Sequence, residues 1–127
     1  MSNESYLLDT QILLWMDGKP EKISRRLQAS LDAGSEIYFS AASAWEIAIK
    51  SSLGKLSIAR PLAVLAERFG FLELPVTARY AETAAVLPLH HKDPFDRMIV
   101  AQAMEEGVTL VTADSRLASY DLKILQV

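Results

Sequence analysis

The chain has 127 residues, half of them hydrophobic and 23% charged, a balance that suits one folded domain over residues 1–127 and excludes a disordered chain. A formal net charge of −3 excludes a domain that grips nucleic acid by bulk positive charge. The absence of cysteine excludes disulfides, zinc ribbons and iron–sulfur clusters, and fits a reducing, cytoplasmic setting.

The opening segment has neither the basic start nor the apolar stretch of a secretory leader. No run of about 18 apolar residues is present to span a bilayer, so no membrane association is expected. Tyr6, Leu7 and Leu8 make a short apolar strand stopped by Asp9 and Thr10, and Ile12, Leu13, Leu14 and Trp15 begin a short helix. Leu27 and Leu31, four apart, place a helix over 24–33 that Gly34 ends, and Ile37, Tyr38 and Phe39 form a second strand. A helix over 40–53 carries Ala44, Trp45, Ile47, Ala48 and Leu53 and stops at Gly54. Pro61 suits the first turn of a helix reaching residue 69, which Gly70 closes before a third strand over 71–74; another helix follows Thr77. Beyond a loop over 88–92, Asp93 caps and Pro94 opens a helix that runs through Met104 to Gly107. Residues 109–112 are a β-branched strand stopped by Ala113 and Asp114, 115–120 a short helix, and 122–127 a last strand. Strands alternating with helices predict an α/β fold with a parallel sheet covered on both faces.

Five carboxylates, Asp9, Glu46, Asp93, Asp96 and Asp114, sit where an apolar run stops or a helix begins. In an open α/β sheet, strand ends and the first turns of the following helices meet along one edge, so residues distant in sequence converge there. Crowded carboxylates ionise together only at a cost, unless a hard, oxygen-preferring cation such as Mg²⁺ or Mn²⁺ lies among them. Each acid also has a plain structural role open to it. Asp9 and Asp114 can cap the helices that follow, with Thr10 placed to hydrogen-bond Asp9. Ser43 and Glu46 have the spacing of a capping box, while Ser40 competes as the cap and would free Glu46. Of the pair at the next helix start, Asp93 is the better cap and Asp96 the better ligand. The adjacent His90 and His91 lack helical i, i+4 spacing and a third nitrogen or sulfur ligand; orienting Asp93 or touching substrate suits such a loop histidine better than binding zinc. Trp15 and Trp45 are expected in the core or at an interface rather than as base-stacking platforms. Lys50, Lys92 and Arg97 are candidate cations for a phosphate-bearing substrate.

Four segments carry a family likeness: Leu8-Asp9-Thr10-Gln11-Ile12-Leu13-Leu14-Trp15, Trp45-Glu46-Ile47 with Lys50 and Gly54-Lys55-Leu56, His91-Lys92-Asp93-Pro94-Phe95-Asp96-Arg97, and Val111-Thr112-Ala113-Asp114. In this order they resemble PIN-domain nucleases, in particular the VapC-like toxins of bacterial and archaeal type II toxin–antitoxin pairs, over residues 6–127. The resemblance implies a three-layer α/β/α sandwich around a mostly parallel sheet of four to five strands. It also implies a Mg²⁺- or Mn²⁺-dependent endoribonuclease acting on RNA, a small antitoxin partner and a homodimer. Carried over by position, Asp9, Glu46, Asp96 and Asp114 match the acidic cluster that binds metal and catalyses, with Asp93, Thr10 and Thr112 supporting it. In this reading Asp9 and Asp96 hold the main ion, Glu46 binds it or activates its water, and Asp114 helps hold a second ion. An antitoxin segment would lie across Leu13, Leu14, Trp15, Ile47 and Leu53. Two other classes stay open. A phosphohydrolase of small phosphoesters would show an Asp-x-Asp pair after the first strand, where residue 11 is instead Gln; a non-catalytic PIN-like partner-binding protein is compatible with an intact acidic cluster.

Overall fold

Five strands, β1 (Ser5–Leu8), β2 (Glu36–Ser40), β3 (Leu72–Leu74), β4 (Thr109–Thr112) and β5 (Ile124–Gln126), form one sheet in the computed structural model, which describes residues 4–127. The strand order is β3-β2-β1-β4-β5 and every pairing is parallel. Residues 1–3, which belong to the opening segment in which no leader is expected, lie outside the described residues. The helices are α1 (Thr10–Gly18), α2 (Arg25–Asp32), α3 (Ala41–Ser52), α4 (Leu62–Phe69), α5 (Ala78–Ala85) and α6 (Pro94–Glu106). Short 3-10 turns occupy Pro20–Lys22 and Ser115–Ser119, the second of them where a short helix is expected.

Strand side chains alternate between two apolar layers. Tyr6 and Leu8 of β1 pack with Ile12, Leu13, Met16, Leu27, Ile47 and Leu65, whereas Leu7 packs with Ala84, Ile99, Val100 and Leu117. Helices α1 to α4 therefore cover one face of the sheet and α5 and α6 the other. A strand buried on both faces needs no polar alternation, which is why Tyr6-Leu7-Leu8 reads as a continuous apolar run. Burying each such Leu or Ile contributes about 1.5–3 kcal/mol.

Chain direction explains where a site can form. From β1 the chain steps outward to β2 and β3 with its helices on one face, then returns to β4 and β5 with its helices on the other, as right-handed crossovers require. The turn after β1 and the turn after β4 consequently lead to opposite faces. Between them the sheet opens a crevice at the carboxyl ends of the strands.

Helix starts at this edge are fixed by side-chain caps. The Ser40 hydroxyl accepts from the Ala42 N–H and begins α3, so the box between Ser43 and Glu46 does not form and Glu46 is free for other partners. Asp93 accepts from the N–H groups of Phe95 and Asp96 at 2.8 and 3.2 Å, with Pro94 at the first helical position of α6. Gly107, at φ 66, then lets the chain leave α6 in the left-handed region and enter β4.

One expectation about the surface needs correction. Leu13 and Ile47 are 0% and 2% exposed; they face the sheet and belong to the core, so they offer no docking surface. Leu14 and Trp15 are half-buried against the same cluster, and of that set Leu53 alone is exposed. Of the two places expected for Trp45, core or interface, its 65% exposure excludes the core; its ring lies edge-on to Phe95 at 5.4 Å. Among the described residues, no helix is long and apolar enough to cross a membrane.

Candidate active site

The crevice between β1 and β4 holds a cleft of about 350 Å³ lined by Asp9, Glu46, Asp93, Asp96 and Asp114, with Lys50 the one cation on its wall among the described residues. Its geometry follows from the register. Leu8 lies beside Val111, so the Asp9 N–H donates to the Val111 carbonyl at 3.0 Å and brings Asp9 next to Thr112. Both Asp9 oxygens are then held. Oδ1 accepts from the Ile12 N–H at 3.0 Å and caps α1, while Oδ2 accepts from the Thr112 hydroxyl. Capping and site-building are thus combined in one carboxylate.

Thr10 takes a different partner from the one expected. Its hydroxyl donates to Glu46 Oε1 at 2.8 Å and lies 2.9 Å from the Ser43 hydroxyl, which leaves Asp9 to Thr112. The reason is directional: Thr10 begins α1 and points toward α3, whereas Thr112 ends the strand beside β1. The second oxygen of Glu46 receives the Lys50 ammonium one helical turn on, at 2.6 Å, and this bond holds the Lys50 pKa above the usual lysine range. Lys50 is half-exposed and keeps an open side toward the cleft.

The candidate cations Lys92 and Arg97 do not join it. Lys92 is exposed and lies outside the lining residues. Arg97, expected to meet substrate, turns inward: it is 8% exposed, and Nη1 donates to the carbonyls of Pro88 and His91 while Nη2 donates to those of Ala84, Ala85 and Leu87. No donor on those two nitrogens is left for a phosphate. The physical reason is that α6 is buried on nearly every side, Arg97 included.

The two histidines part company. His90 packs edge-on to Tyr120 with centroids 4.9 Å apart. His91 is buried with Nε2 3.1 Å from Asp96 and 3.3 Å from Asp114, a placement that neither the spacing of the pair nor its lack of a third nitrogen ligand announced. Its position two residues ahead of a helix-capping aspartate is the signal that could have drawn it toward the edge. Asp114 caps the 3-10 turn through the Arg116 N–H, and the Arg116 guanidinium grips both of its oxygens at 3.0 and 2.9 Å. Arg116, at bonding distance through its side chain, holds the Asp114 carboxyl below the usual carboxylate range.

Elsewhere in the cleft the carboxylates are poorly compensated. Burial pushes the Asp9 carboxyl above its ordinary range, against the lowering effect of the Thr112 and Ile12 hydrogen bonds. Asp96 is pushed up to about 6, first by burial and then by the neighbouring charge of Asp93, with His91 opposing and Glu46 and Asp9 adding to the rise. With Asp114 held by Arg116 and Glu46 by Lys50, the remaining oxygen donors of the cleft fit a hard divalent cation, and Asp9, Glu46 and Asp96, which all line it, would hold one. A cation binds Asp96 only in its ionised form, so binding must release protons below about pH 6. Mg²⁺ affinity measured by calorimetry is therefore expected to be level above about pH 7 and to fall roughly tenfold per pH unit below about 6. Affinity that is constant from pH 5 to 7 contradicts this electrostatic picture.

Comparisons with known proteins agree with the architecture. A family model for the PIN domain matches residues 6–123. The chain is 33% identical over 119 residues to Ribonuclease VapC22 of Mycobacterium tuberculosis (strain ATCC 25618 / H37Rv), a match that covers 90% of each chain. Among solved structures it resembles VapBC2 from Rickettsia felis bound to a promoter DNA fragment, with TM-score 0.72 at 17% identity, covering 96% of this chain and 98% of that one. It also resembles DNA-bound VapBC from Salmonella typhimurium, with TM-score 0.67 at 21% identity, covering 97% and 98%. At such identities the structural likeness speaks for the fold.

Proposed function

The chain belongs to the PIN domain family, and from that premise we propose that it is a Mg²⁺- or Mn²⁺-dependent endoribonuclease, the toxin of a VapBC-type toxin–antitoxin pair. The observation that carries this reading is the cleft at the strand ends, where five carboxylates converge and only Glu46 and Asp114 are paired with a lysine or arginine among the described residues. Its similarity to a protein named as a ribonuclease supports RNA as the substrate.

In this proposal Asp9 and Asp96 hold the cation, and Glu46 either binds it or takes a proton from the attacking water. When bound, the ion lowers the pKa of that water and takes up charge developing on the phosphate. The chain supplies fixed geometry. The Thr112 hydroxyl and the Ile12 N–H set both Asp9 oxygens, and Thr10 with Lys50 does the same for Glu46. Lys50 is also the cation placed to meet the phosphate backbone, since Arg97 is committed to carbonyls and Lys92 lies outside the cleft. Asp114 joins the ligand set only if Arg116 releases it.

Partners are proposed on the surface features. An apolar groove of about 580 Å³ between α3 and α4, walled by Ala44, Ala48, Ile58, Pro61 and Leu62, suits an amphipathic antitoxin segment better than the buried Leu13 and Ile47 do. A separate apolar recess at Trp45, Val76, Phe95 and Met98 suits self-association into the homodimer.

The test is direct. Purified chain should cleave RNA with Mg²⁺ or Mn²⁺, lose the activity in EDTA, and leave small phosphomonoesters intact. Hydrolysis of phosphomonoesters alone, or RNA cleavage that persists in EDTA, contradicts the proposal.

A further inference from the structure

His91 is a buried polar side chain whose ring faces two carboxylates of the acidic cleft and which the proposed chemistry does not use. It is 8% exposed, and its Nε2 lies 3.1 Å from Asp96 Oδ2 and 3.3 Å from Asp114 Oδ2 without a well-aligned hydrogen bond to either. Imidazole nitrogen and both carboxylates lie within 4.8 Å of one another, a spacing that would serve a metal ligand set. The other ring nitrogen decides against ligation. Nδ1 accepts a hydrogen bond from the Asp93 N–H at 3.1 Å, so its lone pair is in use and Nε2 is the nitrogen left to carry a proton. A protonated nitrogen has no lone pair to offer a cation. A donor aimed between two acceptors aligns fully with neither, which accounts for the imperfect geometry.

The ring is also held from behind. The His91 N–H donates to the Tyr120 hydroxyl at 3.1 Å, and the His91 carbonyl accepts from Arg97 at 3.2 Å. Tyr120 in turn donates to the Pro88 carbonyl at 2.8 Å, so both ends of the loop that carries the ring are tied down. Such fixing on every side suits a group whose task is to orient others.

We infer that His91 is a positioning residue that stays outside the coordination sphere of the cation, its Nε2–H bridging Asp96 and Asp114 and setting their spacing in the metal-free and the metal-loaded protein alike. The inference rests on the reading of the cleft as a metal site. In the metal-free protein the bridge places one proton between two carboxylates that otherwise repel; in the loaded protein it fixes how Asp96 faces the ion.

The test is a ¹H–¹⁵N spectrum of the imidazole rings in the full-length protein, recorded without metal and at saturating Mg²⁺. Nε2 is expected to carry its proton in both. Loss of that proton on adding Mg²⁺, or an unprotonated Nε2 in the metal-free protein, overturns the inference. A second arm compares His91→Leu, which fills the site without a donor, with His91→Gln, which restores one near Nε2. Mg²⁺ affinity by calorimetry should fall about 10–100-fold in the Leu variant and recover to within a few-fold in the Gln variant. Unchanged affinity in His91→Leu, or equal loss in both, overturns it. Failure of the metal reading is recognised separately, as amide signals of Asp9 and Asp96 that do not respond to Mg²⁺; the ring proton of the metal-free protein then still decides for or against the bridge.

Discussion

Asp96→Asn is expected to lower RNA cleavage by about a thousandfold or more while raising the thermal stability of the metal-free protein at pH 7. The first effect follows from removing a carboxylate proposed to hold the ion, since metal-borne charge stabilisation amounts to several kcal/mol of the barrier and about 1.4 kcal/mol is tenfold in rate. The second follows from the Asp96 carboxyl itself. Its pKa in the folded chain is pushed up to about 6 from the ordinary 3.8, chiefly by burial, so folding favours the protonated form. That contribution to stability is complete below about pH 4 and is lost as pH rises through about 6. At pH 7 the parent has lost it and the Asn variant, which never ionises, has not. Because the side chain keeps some contact with water, the gain is about 1–2 kcal/mol, less the few tenths that a carboxylate contributes at a helix N-terminus. A rise of about 3–8 °C in melting temperature in EDTA should shrink toward zero near pH 4. Saturating Mg²⁺ should reverse the order, because only the parent gains from binding. A variant that melts lower than the parent in EDTA at pH 7, or that cleaves RNA normally, contradicts the assignment of Asp96.

Much of the architecture was legible because each element carries its own punctuation. Apolar runs that stop at Asp9 and at Ala113-Asp114 mark the ends of β1 and β4, and a sheet that alternates with helices brings those ends together. Asp93-Pro94 and Gly107 bound α6 as their backbone chemistry demands. Periodicity, however, states that a helix has an apolar face without stating how much of its circumference the fold will cover. Leu13 and Ile47 went into the core because α1 and α3 press on the sheet, and the apolar surface left outside is smaller than the sequence suggests. Hydroxyl pairings were equally out of reach. Thr10 serves Glu46 rather than Asp9 because of where α3 passes, a tertiary fact on which local sequence is silent. The same holds for the cation beside Asp96, whose neighbours in sequence suggested a surface role.

Replacing that cation should cost more stability than any other single change considered, although Arg97 touches neither ion nor substrate in the proposed reaction. Its two terminal nitrogens make five bonds to carbonyls, three of them at or just past the end of α5 and two in the loop that leads to Asp93. Helix ends leave carbonyls without intrahelical partners and carry partial negative charge, so a guanidinium there compensates both deficits while its own charge is spread over several acceptors. Arg97→Leu fills much of the volume but strands these carbonyls, each at about 1–3 kcal/mol unless water reaches it. Allowing for hydration at the loop side, the net loss should be about 3–5 kcal/mol, a large share of the 5–15 kcal/mol typical of a folded domain. Arg97→Lys should recover part of this, because an ammonium keeps the charge but lacks the planar fork that reaches both segments. Urea unfolding is the measurement: a midpoint shift matching several kcal/mol is expected in the Leu variant and a smaller one in the Lys variant. Since the loop carries His91, Mg²⁺ affinity should fall in step with the loosening of residues 86–92 rather than with global unfolding, which hydrogen exchange of those amides resolves. If Arg97→Leu is as stable as the parent yet binds RNA less tightly, the residue faces substrate after all, and its buried pose in this fold is not the one that operates.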